Sequence, residues 1–377
     1  MKTLCFVATV PAVVHSFLRE HIHASTARWS VKVVSNPDGA ELLNGIKAEF
    51  IPLAIERKIS LWKDFLALVR LVALFHHKRF DLVHSIMPKT GLLAMLAAWL
   101  TGTPIRIHTF TGQVWANKHG WKRDVLKMFD QLIVFFATHI LVDSPSQRDF
   151  LVSEGVLSLG KAKVIGVGSV CGVDATRFHP DLEAGWGIRR DLGIAQDAKV
   201  ILFLGRLNHD KGILDLATAF VEIARCDARL VLLLVGAEED VPFIRIQEIC
   251  CAQSNRLHYV SFTSTPERYM AAADIFCLPS YREGFGLTII EAAACSLPTV
   301  ASRIYGITDA VEDGKTGLLF RAGDIIELTQ TLLKLIVNHE LRQKMGEAAR
   351  VRALEFFSSQ RITNEMVELY DELLDQQ

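Results

Sequence analysis

The chain has 377 residues, half of them hydrophobic, with seven cysteines and a formal net charge of −1. At roughly 100–200 residues per domain this predicts two domains, and the near-zero charge excludes a bulk nucleic-acid binder. An odd number of cysteines with no C-x-x-C spacing excludes a disulfide scaffold and reads as reduced thiols in a cytoplasmic protein. The halves differ, however: residues 1–180 hold 21 Lys and Arg against 13 Asp and Glu, and the remainder 20 against 29. A basic first half predicts a negative partner there, a membrane surface or a phosphorylated ligand.

The opening stretch, MKTLCFVATVPAVV, has the charge and apolar run of a weak signal peptide. Pro11 interrupts the run and no clear cleavage site follows, so we read a first buried strand. No other stretch is long and apolar enough to predict a transmembrane helix. Short β-rich runs then alternate with helical stretches. Strands are predicted over Thr3–Thr9, Trp29–Ser35, Lys47–Ile51, Asp81–Ser85, Thr103–Thr109, His139–Asp143 and Lys163–Gly166, with helices such as Leu61–His77 and Thr90–Thr101 between them. After a Gly-rich, loop-like stretch over residues 166–194, the style repeats. Strands are predicted over Lys199–Leu204, Arg229–Val235, Leu257–Phe262, Ile275–Pro279 and Thr299–Ser302. Helices include Leu214–Ala224, Val241–Gln253, Leu287–Ser296 and Asp324–Asn338, and one more closes the chain over Phe356–Leu374. Strands buried on both faces and separated by helices predict parallel sheets, hence an α/β fold of two doubly wound domains with a cleft between them.

Two stretches carry chemistry. In FLGRLNHDKGILDL, Gly205 and Arg206 end a strand, and Lys211 precedes a helix. Two cations beside a helix start suit a diphosphate, although surface cations flanking a turn are an equally ordinary reading. In REGFGLTIIEAAACSLPTVAS, Glu283 lies on a glycine loop and Glu291 about one turn into an apolar helix. The N–H groups of Phe285, Gly286, Leu287 and Thr288 form an anion seat at that helix start. A carboxylate among Ile289, Ile290 and alanines needs a partner. Solvent or a cation would serve; so would ligand hydroxyls such as a ribose diol. Paired carboxylates also suggest glycoside hydrolysis, which does not explain the cations. GVGSVCG resembles a dinucleotide motif but no helix is predicted after it, which argues against a dehydrogenase. No metal-ligand spacing occurs, so neither a metal nor another cofactor is expected.

Glu283-x7-Glu291, with PS before it and CSLPTVAS after it, resembles the retaining glycosyltransferases of family 4, which have the GT-B fold. GRLNHDKG, LLLVG, AAADIFCLPS, VEDGKTGLLF and GVDATRF extend the resemblance over the second half. HSIMPKTGLLAMLAAWLTGTPIRIHTFTG looks like members that build bacterial surface polysaccharides, as in capsule or lipopolysaccharide O-antigen. The resemblance implies an acceptor-binding domain over residues 1–175 and a nucleotide-sugar-binding domain over 176–355. It implies a C-terminal helix over 356–377 that crosses back to the first domain. It implies that Arg206 and Lys211 bind the donor diphosphate, Glu283 the transferred sugar and Glu291 the ribose. Phe285, Gly286 and Leu287 would lend backbone N–H groups, and His108 would hold the donor sugar. The family's first loop usually carries a Gly-rich turn; residues 9–15 have none, so no role is transferred there.

The partners so implied are a nucleotide-sugar donor, a polyprenyl-diphosphate-linked glycan acceptor and no nucleic acid. Residues 61–80 and 115–136 mix Trp and apolar residues with Lys and Arg. That composition suits an anionic membrane surface as well as a core helix with a solvated edge. The expected location is therefore cytoplasmic, peripheral on the inner face of the plasma membrane. A sugar-nucleotide 2-epimerase of the same fold, and a catalytically silent sugar-nucleotide-binding subunit, are the alternatives.

Overall fold

The computed structural model describes residues 1–56 and 60–376; residues 57–59 and 377, which fall within the expected first and last segments, lie outside it. The chain divides into two compact units. One is Met1–Gly172 with Ser359–Gln377, and the other is Val173–Ser358.

The first unit is built on seven parallel strands: β1 (Thr3–Val7), β2 (Ser30–Ser35), β3 (Glu49–Pro52), β4 (Leu82–Ile86), β5 (Ile105–Phe110), β6 (His139–Val142) and β7 (Ala162–Val164). Their order is β3-β2-β1-β4-β5-β6-β7. The opening stretch is thus an inner strand of the sheet. Alternation along β1 sends Cys5 and Val7 into one core and Leu4, Phe6 and Ala8 into the other. Helices Leu61–Lys78, Pro88–Leu100 and Trp121–Phe136 cover the first core. The C-terminal helix Ser359–Asp375 covers the second beside helix Arg19–Thr26, through Ile362, Met366 and Tyr370. Its return to the first unit is therefore a packing fact, and a buried hydrogen bond of 2.6 Å between Tyr370 Oη and His84 Nδ1 accompanies it.

The second unit holds six parallel strands: β8 (Lys199–Leu204), β9 (Leu230–Val235), β10 (Leu257–Val260), β11 (Ile275–Leu278), β12 (Thr299–Ser302) and β13 (Gly317–Phe320). Their order is β10-β9-β8-β11-β12-β13. Val-, Leu- and Ile-rich strands such as LVLLLV are buried along their whole length, as a sheet covered on both faces requires.

The expected helix Val241–Gln253 is shorter, Phe243–Ile249 with a 3-10 segment Cys251–Arg256 after it, and three further elements of the second unit differ from the sequence reading. The Gly-rich stretch read as a linker contains helix Leu182–Asp191, started by Asp181, whose side chain accepts from Ala184 N at 2.9 Å. Its glycine is a packing device: a Cβ on Gly185 would sit 2.3 Å from the Ala271 carbonyl oxygen. Buried Arg189 anchors the helix, donating to Ala272 O, Gln196 O, Ala198 O and Asp274, each at 2.9 Å. Helix His339–Phe356 was not predicted, because its buried stripe is Met345, Gly346, Ala349 and Ala353, with Arg342, and carries little hydrophobic periodicity. Strand β13 also went unread.

Candidate active site

The strand order of the second unit reverses between β8 and β11, which pair through Ile201 with Ile275 and Leu202 with Phe276. Loops leaving two such strands diverge, and a crevice opens at their carboxyl ends. Both chemistry-bearing stretches of the sequence leave these two strands.

After β8 the chain passes Gly205 and Arg206 to Asn208, whose side chain accepts from Lys211 N at 2.9 Å and so caps the short turn His209–Lys211. Gly212 follows with φ +66°, and a Cβ there would lie 2.0 Å from the Pro279 carbonyl oxygen. Only glycine permits this approach, which brings Lys211 against the end of β11. Tyr281 N donates to Asp210 O at 2.8 Å, and Arg282 binds Asp210 Oδ2 with its closer nitrogen at 2.9 Å. The two loops are therefore held together by backbone and charge.

Lys211 and Glu283 meet as an ion pair across these loops. Glu283 Oε1 accepts from Lys211 Nζ and also from Ser280 Oγ, the latter at 2.9 Å. With its side chain only 12% exposed, Glu283 keeps Oε2 for a further donor. Lys211 has two more N–H donors for an anion. Helix Leu287–Ala294 starts on Gly286, at φ +80°, with no side-chain cap. The first-turn N–H groups of Leu287 and Thr288, both partly exposed, are thus left to an outside acceptor. Phe285 is buried, its ring 5.3 Å from that of Phe357, so only its backbone faces any ligand.

Arg206 is exposed and is held by Glu239, whose other oxygen accepts from Asn208 Nδ2 at 2.6 Å. Sequence reasoning missed Glu239. It follows β9, the parallel neighbour of β8, and the register of those strands delivers GAEED beside the Arg206 loop. The signal was available as three acids just past a strand's carboxyl end. Both cations therefore carry a resident carboxylate.

Glu291 stands among other charges. It is partly exposed, and among the described residues its carboxylate has no hydrogen-bond partner. Loss of solvation by burial raises its pKa to about 8; Arg177 nearby opposes the rise and Glu267 adds to it. Those two neighbours are paired with each other at 2.9 Å.

His108 belongs to β5 of the first unit and is fully buried. Its Nδ1 lies 2.9 Å from Ser85 Oγ, its Nε2 has no partner among the described residues, and burial lowers its pKa to about 3, which keeps the ring neutral. The ring lies over Gly91, where a Cβ would come within 2.3 Å of its Cε1. Among the described residues, no group of three or more His, Cys, Asp or Glu is placed to hold a metal ion.

Residues 186–352 match the model for glycosyl transferases group 1, and residues 14–168 that for a glycosyl transferase 4-like domain. The chain is 31% identical to the capsular polysaccharide biosynthesis glycosyltransferase CapM of Staphylococcus aureus, over 91% of this chain and 90% of that protein. It is 26% identical to the Escherichia coli UDP-Gal:alpha-D-GlcNAc-diphosphoundecaprenol alpha-1,3-galactosyltransferase, over 90% and 87% of the two chains. Among solved structures, Anabaena HepE in complex with UDP-glucose superposes with a TM-score of 0.83 at 20% identity, covering 99% of this chain and 100% of that one. The sucrose-phosphate synthase of Thermosynechococcus elongatus superposes with a TM-score of 0.81 at 22% identity, over the whole of both chains. With two parallel-sheet Rossmann-like units of the GT-B class and both matching family models, the chain belongs to the group 1 glycosyltransferases and is a glycosyltransferase.

Proposed function

We propose that the enzyme transfers a sugar, with retention at the anomeric carbon, from a UDP-linked donor to a lipid-linked glycan acceptor in cell-surface polysaccharide synthesis. The observation that carries this reading is the Lys211–Glu283 ion pair at the sheet's switch point, beside a helix start with free N–H groups. It offers a cation for a diphosphate and a carboxylate oxygen for sugar hydroxyls in one place. The capsule and diphosphoundecaprenol relatives support the choice of acceptor, and HepE, solved with UDP-glucose, supports the choice of donor.

In this reading Arg206 and Lys211 bind the diphosphate, with N–H groups of Phe285, Gly286, Leu287 and Thr288 adding to the seat. Gly205, without a side chain, lets the backbone approach it. Glu283 orients the transferred sugar and Glu291 takes the ribose hydroxyls. His108 is assigned a donor-sugar contact on the family resemblance. The bond from the anomeric carbon to the phosphate oxygen breaks as the acceptor oxygen bonds on the same face. The departing phosphate oxygen takes the acceptor proton, and Arg206, Lys211 and the helix N–H groups stabilise the charge left on it. The residues 1–175 bind acceptor and 176–355 bind donor.

The test is nucleoside-diphosphate release from a panel of UDP-, GDP- and dTDP-sugars with and without a polyprenyl-diphosphate glycan. Acceptor-dependent release of UDP is expected, with Arg206→Ala and Glu283→Ala each cutting turnover about 10²–10³-fold. Release that ignores the acceptor, or an interconverted sugar nucleotide, would favour the epimerase. Absence of turnover with intact donor binding would favour a silent subunit.

A further inference from the structure

We infer that one helical layer of the first unit is a docking face for an anionic bilayer. This deepens the proposed lipid-linked acceptor and rests on that reading only for what the docking serves. The layer consists of helices Leu61–Lys78, Pro88–Leu100 and Trp121–Phe136, side by side on one face of the sheet. Their inner sides, among them Ala67, Leu71 and Phe75, Ala94 and Ala98, and Ile133, supply the core. Their outer sides are where a globular helix normally carries polar residues.

Here two of those outer sides carry apolar stripes among their charges. Helix Trp121–Phe136 exposes Trp121 (72%), Val125, Met128 and Phe135 (70%), a stripe at helical spacing. Helix Leu61–Lys78 exposes Trp62 (70%), Phe65 and Val69, with the Trp62 and Phe65 rings stacked at 6.1 Å. The middle helix is largely buried between them and surfaces only at Trp99 and Leu100, where Trp99 meets Phe136 at 5.3 Å. Exposed apolar residues of the second unit are fewer on each helix: Leu182 and Trp186 share one, Ile326 and Val337 another, and Ile244 stands alone on its own. Exposed aromatic stripes on two helices of one layer, with Trp99 meeting Phe136 at one end, mark an interaction site.

Charge chooses the occupant. Residues 61–136 hold ten Lys and Arg against four Asp and Glu. Arg70, Lys118 and Lys122 are exposed beside the stripes, and Lys122 Nζ lies 5.9 Å from the Trp121 ring centre. Trp at headgroup depth with cations on anionic lipid is the chemistry of interfacial binding. No helix among the described residues is long and apolar enough to cross a membrane, and the inferred docking is along a bilayer surface rather than through it. Each of the three helices returns the chain from the end of one parallel strand to the start of the next, and so runs against the strands. Trp62 and Trp121 therefore stand at the carboxyl edge of the sheet, the edge where such sheets bind ligands.

The experiment is flotation of the full chain with vesicles of phosphatidylcholine, with and without phosphatidylglycerol, containing neither donor nor acceptor. The wild type is expected to float with the anionic vesicles and to release as salt rises. The combined variant Trp62→Ala, Phe65→Ala, Trp121→Ala, Phe135→Ala is expected to bind at least about tenfold more weakly. Arg70→Glu with Lys122→Glu should weaken binding to anionic vesicles only. Brominated lipid should quench tryptophan fluorescence of the unmodified chain, a readout that survives if the combined variant does not fold. A wild type that stays in solution at low salt and is not quenched overturns the inference, as does a folded combined variant that floats like wild type. So does a wild-type dimer that the variant dissociates without any vesicle binding, since the face would then belong to a second copy. Because no turnover is measured, failure of the proposed donor chemistry would leave these outcomes unchanged.

Discussion

Replacing Glu291 by glutamine should stabilise the ligand-free enzyme in mild base while weakening its donor site. Burial raises the Glu291 carboxyl from 4.5 to about 8. The folded chain thus keeps that proton up to about pH 8, whereas the unfolded chain releases it near its ordinary value. Stability contributed by the protonated form is present in full below the unfolded pKa and is lost as pH rises toward the folded one. At 1.36 kcal/mol per pKa unit the ceiling is about 5 kcal/mol. Glu291 is partly exposed and Arg177 partly compensates it, so about 1–2 kcal/mol is the working figure. Glutamine cannot ionise and keeps that stability. For a unit of this size Glu291→Gln should melt about 2–8 °C above wild type near pH 8 and level with it near pH 5. In the proposed ribose-binding role the same change replaces a carboxyl oxygen with an amide NH2 group that cannot accept from a ribose hydroxyl, and UDP affinity should fall about tenfold or more. Thermal melting at the two pH values, with and without UDP, measures both. Melting profiles that run parallel across this range would refute the burial argument, and unchanged UDP affinity would refute the ribose contact.

Gly212→Ala combines a positive φ with a Cβ 2.0 Å from the Pro279 carbonyl oxygen. It should cost about 3 kcal/mol or more and weaken UDP binding through Lys211, so wild-type melting would count against the close approach of β8 and β11. Arg189→Met strands Asp274 and the carbonyls of Ala272, Gln196 and Ala198. A loss of about 3–5 kcal/mol in denaturant unfolding is expected, and a loss under about 1 kcal/mol would show that the helix is not anchored there. Glu239→Gln uncovers the charge of Arg206. Titration calorimetry should then show UDP binding about threefold or more tighter at low salt; equal or weaker binding would mean that Glu239 positions Arg206 rather than neutralises it.

Much of the candidate site was legible because its pieces are local. Gly205, Arg206 and Lys211 belong to one strand–turn–helix segment, as do Glu283, Gly286 and Glu291, and each segment announces itself by an apolar run ending in glycine and charge. Glu239 was not legible as a partner of Arg206, since the two belong to loops of different strands and only the β8–β9 register makes them neighbours. The setting of Glu291 was half legible. The apolar helix foretold a costly carboxylate, but the Arg177–Glu267 pair beside it comes from two distant segments. Helix Leu182–Asp191 hid behind two glycines because the demand for Gly185 comes from the Ala271 carbonyl, which lies far away along the chain.

By itself the sequence determined the α/β class, the parallel sheets, the position of most strands and the family. All of these follow from hydrophobic periodicity and short motifs, which act over a few residues. The tertiary structure alone decided which charges meet: Lys211 with Glu283, Arg206 with Glu239, and Glu291 beside Arg177. It also decided that two helices far apart in sequence flank a third in one layer and leave Trp62 and Trp121 exposed. Strand order and helix packing set these neighbours, and both are products of the core as a whole.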